Sequence, residues 1–411
     1  MKGRTRSVCG WVVFTIAVTF ASWFPASPRA IAQTSVQGQD AVYNSVGQIT
    51  NSPAFIDASM FKSSEPDICA VLNGILSSTT TQYPATGAVV DARGLNSNNT
   101  NMKCSVSPWA GITSPLPSTI LLPAGTIQIP GTWILPSNTR LIGEGENNPL
   151  SATPGTTIQA TNVFSGSMIQ FGSSSCCSSS PPCTGISVER LTLDGQAQAV
   201  NGIVNQYSQT NTRVDHVTIY QIRGTGLLIS DTGASSASNS GPYTNIIFDT
   251  GGYPGLSTTA CAQIWNANGL LTGTRGIHGL RCKSETQDAN AAVMLDASNN
   301  SIEDVTVVGF YDGVLVGSNA IAHSNVLLNI IGDTQSAGVT PVNAIHISKN
   351  FAVTDLSIMG VSNSGLTGTY TIQDDVTSPH LSDPSVGIYA LGEPATSNGY
   401  TRFSTSPNVA S

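Results

Sequence analysis

The sequence predicts an all-β solenoid, in which short strand-bearing coils stack along one axis. A pattern of apolar, any, polar or turn-forming, apolar, any and apolar residue returns seven times within residues 188–359. Successive copies lie 21 to 34 residues apart, an interval typical of repeat architectures. The runs are short, rich in β-branched residues and alternating, which favours strands over paired helices. The copies begin at Val188, Val214, Tyr243, Ile277, Ile302, His323 and Val353.

The composition supports a folded chain of this kind. Of 411 residues only 10% are charged, while 40% are hydrophobic, so disorder is not expected over most of the chain. Each coil of a solenoid packs only on its neighbours, so a long chain can form one domain.

Residues 1–32 have the features of an export signal. Basic residues precede an apolar run at 11–24, and Ala-Ile-Ala at 30–32 supplies small residues for cleavage before Gln33. We therefore expect a secreted, cell-surface or periplasmic protein, with an uncleaved membrane anchor as the alternative. No later stretch reaches the roughly 18 apolar residues that a membrane span needs, so no membrane association is expected after cleavage.

The charge balance limits the partners. The predicted signal holds four of the 16 basic residues and none of the 24 acidic ones, so the remaining chain is strongly acidic. Nucleic acid is excluded as a partner, because phosphate binding needs a basic surface. A polyanionic ligand requires a locally basic or metal-loaded site.

Seven cysteines follow the predicted signal, and disulfides are expected in an exported protein. Proximity in the sequence suggests the pairs Cys69–Cys104, Cys176 or Cys177 with Cys183, and Cys261–Cys282. Zinc binding is the alternative, although no Cys-x-x-Cys has a matching partner pair or spaced histidines.

The chain divides into regions around the repeats. Asp67 is a suitable N-cap for a short helix at 68–76, and a strand follows at 87–94. A solenoid needs such a cap, because its first coil would otherwise expose an apolar end and an unpaired edge. The expected regions are a flexible start at 33–54, an N-terminal cap region with a short helix at 55–118, the stacked coils at 119–392 and a loose tail at 393–411.

The opening coils resemble a known family. Residues 121–129, 135–145 and 157–160 look like the first coils of the pectate-lyase-like β-helix superfamily, in particular its rhamnogalacturonase- and epimerase-like branch related to glycoside hydrolase family 28. The resemblance covers roughly residues 55–392. It implies a right-handed, single-stranded parallel β-helix. The superfamily contains hydrolases, lyases, epimerases, phage tailspikes and non-catalytic surface proteins, so the resemblance leaves the activity open.

The catalytic motifs of the polygalacturonase-type hydrolases are not preserved. That family is expected to carry Asn-Thr-Asp, Asp-Asp, Gly-His-Gly and Arg-Ile-Lys, in this order. Here Leu-Asp-Gly at 193–195 matches part of the first, and Asp215-His216 stands where Asp-Asp is expected. The motifs at 276–279 and 281–283 are almost adjacent, whereas the family places them on separate coils. Its catalytic set is therefore not transferred to this chain.

Alternation along each strand predicts which side chains face outward. If Leu191 and Leu193 point into the core, Arg190, Thr192 and Asp194 point out. The same register places outward His216, Thr218 and Tyr220; Asn245, Ile247 and Asp249; Gly279, Arg281 and Lys283; Asp304, Thr306 and Val308; Asn325, Leu327 and Asn329; and Asp355, Ser357 and Met359. Titratable groups concentrate on the first four of these coils.

This face suggests one catalytic arrangement. Asp194 and Asp249 would lie two coils apart, about 9.6 Å at the backbone. That separation suits inverting hydrolysis, in which the carboxyl groups stand roughly 6.5–9.5 Å apart. Arg281 and Lys283 would hold a substrate carboxylate. Tyr220 would lie between the aspartates and bind substrate together with His216 and Arg190.

β-Elimination from a uronate is the alternative reaction. Arg281 or Lys283 would then take the proton next to the uronate carboxyl group, with Ca²⁺ on Asp194 or Asp249. No metal ligand set and no other cofactor is expected. The sequence thus predicts an exported carbohydrate-active protein that cleaves an acidic polysaccharide. The alternative is a non-catalytic surface or glycan-binding protein that keeps only the fold.

Overall fold

A computed structural model gives the structure of the chain. It describes residues 54–61, 67–82, 87–96, 101–146, 155–161, 165–175, 182–250, 260–333, 343–363, 370–375 and 387–389. All of them belong to one compact unit, Thr50–Ser411. The predicted signal at 1–32, residues 33–53 and the predicted tail at 393–411 lie outside the described residues.

The described residues form one α-helix, short 3₁₀ turns and a succession of strands. Helix α1 spans Ile68–Gln82, and the 3₁₀ turns span Ala58–Phe61 and Arg93–Leu95. The first strands are β1 (Ala54–Asp57), β2 (Ala88–Asp91), β3 (Met102–Lys103), β4 (Ser118–Leu121), β5 (Gly125–Ile129), β6 (Trp133–Leu135), β7 (Thr139–Ile142), β8 (Thr156–Ala160), β9 (Gly166–Phe171), β10 (Ser187–Asp194), β11 (Val200–Asn205) and β12 (Arg213–Tyr220). The later ones are β13 (Leu227–Ser230), β14 (Tyr243–Asp249), β15 (Ala262–Trp265), β16 (Ile277–Asp296), β17 (Ser301–Val316), β18 (Ala322–His323), β19 (Val326–Gly332), β20 (Asn343–Ile347), β21 (Val353–Thr354), β22 (Ser357–Asn363), β23 (Tyr370–Asp374) and β24 (Gly387–Tyr389).

These strands stack in parallel from coil to coil. β10 pairs with β12, β12 with β14, β14 with β16 and β16 with β17, each in parallel register. On another face β11 pairs with β13, and β13 with β15. The predicted right-handed parallel β-helix is therefore confirmed.

An apolar ladder fills the interior. Val188, Val214, Tyr243 and Ile277 occupy the same register position on β10, β12, β14 and β16, and all are fully buried. Full burial of one such side chain contributes roughly 1.5–3 kcal/mol, so the stacked coils share one continuous core. Tyr243 is the polar exception on this ladder. Its hydroxyl donates to Ser240 Oγ at 2.7 Å, and burial raises its pKa to about 12.

The turn-forming position of the repeat is a left-handed bend within each long strand. The residues there have φ between 52° and 70° and stack one above the other. They are Arg190, His216, Asn245, Gly279, Asp304, Asn329 and Gly360. Left-handed backbone favours Gly and Asn, and the bend divides the strand into two faces that meet at a corner.

Two of the predicted outward positions in the sixth repeat copy are wrong, because strand pairing displaces that copy by four residues, and the seventh copy by five. Strand pairing places Val305 beside Ile330, so the bend falls at Asn329. Leu327 takes the inward position and is fully buried. Asn325 is 1% exposed at a corner, where its side chain accepts from Asn300 N and donates to Ala297 O.

Val308 lies in register beside Lys283, as the alternation predicts, but it is only 1% exposed.

The N-terminal part joins the same stack. Asp67 caps α1, as predicted, with its carboxylate accepting from Cys69 N and Ala70 N at 3.0 Å. β1 pairs with β2 and β2 with β4, all in parallel, so strands within the predicted cap region already extend the ladder. The boundary between cap and β-helix at 118/119 stays a prediction.

The disulfides agree with the expected pairs where they are described. Cys69 is bonded to Cys104, and Cys261 to Cys282. Cys183 is also disulfide-bonded, and its expected partners, Cys176 and Cys177, lie outside the described residues.

Candidate functional site

A polar ladder runs across six strands on the outer face. β5, β8, β10, β12, β14 and β16 each contribute one residue at the same register position. The members are Gln128, Gln159, Asp194, Tyr220, Asp249 and Lys283. The structure thus aligns four of the predicted site residues in one column, one on each of four successive coils.

Asp194 is the most enclosed member of the column. It is 8% exposed, and its two oxygens accept from Gln159 Nε2 and Gln196 N, both at 3.0 Å. The side-chain amide of Gln196 donates to the same carboxylate. The carboxylate of Asp194 is therefore held by Gln159 on the adjacent strand and by Gln196 two residues later in the chain.

Asp249 and Lys283 form an ion pair at the other end of the column. Lys283 Nζ lies 3.6 Å from Asp249 Oδ2, and their side chains are 27% and 23% exposed, respectively. Arg281 stands two residues before Lys283 on the same strand and is exposed. In register it lies beside Ile247, which is 38% exposed. The two cations therefore occupy neighbouring outward positions on strand β16.

Arg190 and His216 occupy the left-handed corner and not the flat part of the face. Both are exposed, with φ of 57° and 52°. His216 Nδ1 lies 3.0 Å from Asp215 Oδ1. Arg190 precedes Asp194 by four residues on β10, and His216 precedes Tyr220 by four residues on β12.

One acidic residue that sequence reasoning missed lies on this face. Glu146 belongs to the 143–146 loop after β7, and Thr218 Oγ1 donates to its Oε2 at 2.9 Å. Thr218 is two residues before Tyr220 on β12, so Glu146 lies directly beside the column. The only sequence signal was two glutamates alternating with glycines at 143–146, which indicates a turn but does not predict which strand the glutamates contact.

The two carboxyl groups near His216 have opposite pKa shifts. Burial raises the pKa of Glu146, and this outweighs the hydrogen bond from Thr218 and the charge of His216. For Asp215, burial also acts upward, but hydrogen bonds from Thr244, Asn245 and His216 bring its pKa below the usual value. Groups whose environments separate their pKa values are suited to acid and base roles.

A second titratable cluster lies near the C-terminal coils. His346 Nδ1 is 2.8 Å from Asp312 Oδ2, and its Nε2 is 2.9 Å from Asp375 Oδ2. Burial lowers the pKa of His346, but the two carboxylates raise it to about 9. The protonated ring thus bridges three successive coils.

The described residues show neither a metal-binding cluster nor a membrane-spanning helix. That part of the chain contains no group of three or more His, Cys, Asp or Glu side chains arranged to hold a metal ion. Asp194 and Asp249, the carboxylates predicted for calcium in the elimination route, are separated by the strand of Tyr220. Within the same residues no helix is long and apolar enough to cross a membrane.

Comparison with known families agrees with this fold. Residues 110–278 match the family model described as "Rhamnogalacturonase A/epimerase, pectate lyase-like". The resemblance to pectate-lyase-like β-helices is confirmed over this segment. It contains the column from Gln128 to Asp249 and the 143–146 loop. A search of curated proteins gives no match.

Three solved structures show distant likenesses. The mannuronan C-5 epimerase AlgE4 A-module of Azotobacter vinelandii aligns with a TM-score of 0.40 at 12% identity, over 82% of this chain and 94% of that one. The AlgE6 A-module of the same organism gives a TM-score of 0.40 at 12% identity, over 86% and 97%. ORF18 of Geobacillus virus E2 gives 0.38 at 12% identity, over 82% and 62%. At these values the likenesses do not bear on activity.

Proposed function

We propose that this protein is an exported enzyme that cleaves an acidic, uronate-containing polysaccharide on the outer face of its β-helix. The observation that carries the proposal is the column of Asp194, Tyr220, Asp249 and Lys283, aligned on four successive strands. A saccharide chain laid along the column would meet carboxylates, a phenol and an ammonium within a few coils. Three disulfide-bonded sites, at Cys69, Cys183 and Cys261, support export.

Inverting hydrolysis fits the column better than β-elimination. The two aspartates stand two rungs apart, about 9.6 Å at the backbone, which suits the roughly 6.5–9.5 Å of inverting hydrolases. In this reaction Asp249 acts as the base that activates water, and Arg281 binds the uronate carboxylate. As the base of an elimination, Lys283 would first have to leave Asp249.

A non-catalytic, glycan-binding role is the second candidate. It is favoured by the hydrogen bonds that both carboxylate oxygens of Asp194 already accept from Gln159 and Gln196. A face whose acids serve only to join coils would bind a saccharide without cleaving it.

An assay on pectic and other uronate polymers separates these candidates. Hydrolysis releases reducing ends without ultraviolet-absorbing products, whereas elimination generates unsaturated uronates that absorb. NMR of the first product gives the anomeric configuration, and inversion is expected. Binding without either product would support the second candidate and overturn the first.

A further inference from the structure

The 143–146 loop is fixed on the backbone of strand β10. Gly143 N donates to Glu189 O at 2.9 Å, and Gly145 N donates to Arg190 O at 3.1 Å. A Cβ atom at Gly143 would come within 2.3 Å of Arg190 O, so only glycine permits this approach. Glu144 N donates to Thr156 Oγ1 at 2.9 Å. The loop therefore presents its last residue from a rigid base.

Glu146 reaches the face at the position of Thr218. The 2.9 Å hydrogen bond from Thr218 Oγ1 fixes one carboxyl oxygen there. Thr218 is 6% exposed, whereas the residues beside it on the next two strands, Ile247 and Arg281, are exposed. The contact spans 72 positions of sequence, so it depends entirely on the stacking of the coils.

The distance from this point to Asp249 suits a pair of catalytic carboxyl groups. Asp249 pairs with Tyr220 on the adjacent strand, and Thr218 stands two residues before Tyr220. Thr218 and Asp249 are therefore separated by one strand spacing and two residues. With about 4.8 Å per rung and about 3.3 Å per residue, the backbone diagonal is about 8 Å. Inverting hydrolases separate their acid and base by roughly 6.5–9.5 Å.

The surroundings of Glu146 favour its protonated form. The charged groups that face it are His216 and Asp215, both on β12; the charge of His216 acts to lower its pKa, and that of Asp215 to raise it. Burial is the largest effect, and the net result is a raised pKa. Both oxygens of Asp194, in contrast, already accept hydrogen bonds from N–H donors.

We propose that Glu146, and not Asp194, is the general acid of the hydrolysis on this face. The inference rests on the proposed function. Glu146 gives its proton to the glycosidic oxygen while the bond from that oxygen to the anomeric carbon breaks, and the bonding electron pair goes to the departing oxygen. A water oxygen forms the new bond to the anomeric carbon, and the water proton passes to Asp249. Asp194 then orients Gln159 and Gln196 beside the substrate.

Glu146→Gln is the direct test, on the mature disulfide-bonded protein and the polymer that the wild type cleaves best. We expect kcat to fall by roughly 10²–10⁴-fold with little change in KM, because proton donation acts only in the transition state. The wild-type rate should decline on the alkaline side, where Glu146 loses its proton, and this limb should vanish in the variant. Glu144→Gln, in the same loop, is the matched control and should retain the wild-type profile.

A substrate with a good leaving group separates chemistry from structure. The nitrophenolate of a nitrophenyl uronoside departs without protonation, so Glu146→Gln should cleave this substrate within a few-fold of the wild type while Asp249→Asn should not. A variant that has merely misfolded would lose activity on both substrates. Thr218→Val, which removes the hydroxyl that holds Glu146, should move the alkaline limb and lower kcat less than Glu146→Gln.

The outcomes distinguish the two proposals. A wild type that cleaves the polymer, with Glu146→Gln equally active or unchanged in its alkaline limb, overturns only the role of Glu146. A wild type that cleaves neither polymer nor nitrophenyl uronoside overturns the proposed function and the role of Glu146 together.

Discussion

Side chains on the outer face are positioned mainly by their neighbours one rung away. Glu189 shows the strongest case, since it is 8% exposed and its Oε2 lies 2.6 Å from Arg213 Nη2. Burial acts to raise the pKa of Glu189, but hydrogen bonds from Arg213, Ser187 and Arg140 bring it below the usual value. Such residues join coils. Asp249 differs in its exposure, since its side chain remains 23% exposed and its carboxylate lies 3.6 Å from Lys283 Nζ.

This difference gives a prediction for activity. Asp249→Asn should lower kcat/KM on the best uronate polymer by roughly 10²–10⁴-fold, since the amide cannot accept the proton of the attacking water. Steady-state kinetics measures the effect. Asp304→Asn is the matched control, an exposed aspartate on the bend of β17, and should leave kcat/KM within about twofold. Equal activities of Asp249→Asn and wild type would remove Asp249 from the site.

At the scale of the elements, the left-handed bend sets the cross-section of the seven coils that begin with β10. It divides strands such as β10 and β12 into two faces, and stacked bends keep these faces aligned over seven coils. Left-handed backbone costs roughly 1–2 kcal/mol for ordinary residues and little for glycine. A β-branched residue at this position is therefore unfavourable on backbone grounds alone.

Asn329, with φ of 55°, tests this cost. Asn329→Gly and Asn329→Val both remove the hydrogen bond that the amide donates to Asp304, so their difference isolates the backbone. We expect the valine variant to be less stable than the glycine variant by about 1–2 kcal/mol. Urea unfolding measures this difference. Equal stabilities would mean that the bend relaxes to accept a branched side chain.

The cluster of Asp312, His346 and Asp375 links β17, β20 and the residue after β23. As an imidazolium, His346 donates from both nitrogens, and each carboxylate accepts. Burial acts to raise the pKa of Asp375, but hydrogen bonds from His346 and Gln373 and the charges of His346 and Lys349 bring it below the usual value. Three coils are thus held by one charged ring.

The cluster predicts pH-dependent stability. The pKa of His346 is raised from 6.5 to about 9, so its contribution is full below pH 6.5 and is lost as pH rises through about 9. The pKa of Asp375 is lowered, so its contribution is lost only as pH falls below its ordinary value of 3.8. His346→Gln should therefore destabilise the protein most at about pH 5–6.5, on the order of 3 kcal/mol, and least near pH 10.

Urea unfolding of wild type and His346→Gln across this pH range measures the effect. His323→Gln, at an exposed corner, leaves the cluster intact and serves as the control. A difference between wild type and His346→Gln that stays constant up to pH 10 would exclude the charged bridge.

At the scale of the whole molecule, each coil is stabilised by its neighbours, so the first coil needs protection at its open end. Helix α1 packs there, with Ile68 and Leu72 buried in the continuous core. The Cys69–Cys104 disulfide joins this helix to the chain after β3 over 35 residues. The cap is thus covalently tied to the first coils.

Removing this link should destabilise the N-terminal end. The double variant Cys69→Ala, Cys104→Ala should lose about 4 kcal/mol, the loop-entropy value for a closure of this length. Chemical unfolding followed by far-ultraviolet circular dichroism measures the loss. The cysteines removed are buried and far along the chain from the site, so activity at low temperature should persist. Unchanged stability would mean that packing of α1 alone closes the end.

Much of the fold could be predicted because every coil of a solenoid repeats the same short pattern of apolar and polar residues. The alternation in β10, β12, β14 and β16 separated inward from outward residues, and it placed Asp194, Tyr220, Asp249 and Lys283 in one column. The same reasoning failed at Asn325 and Leu327. There the pattern is equally apolar in two registers, and pairing across coils selects the one that buries Leu327.

The sequence by itself determined the β-helix, the helical cap, two described disulfides and the alignment of the candidate site residues in one column, because each follows from short-range periodicity or spacing. Only the tertiary structure decided that Glu146 lies against Thr218, that Asp194 is enclosed by Gln159 and Gln196, and that His346 lies between two carboxylates. These contacts join residues on different coils. Their partners depend on where loops return to the stack, and that path is set by packing and hydrogen bonding over the whole helix.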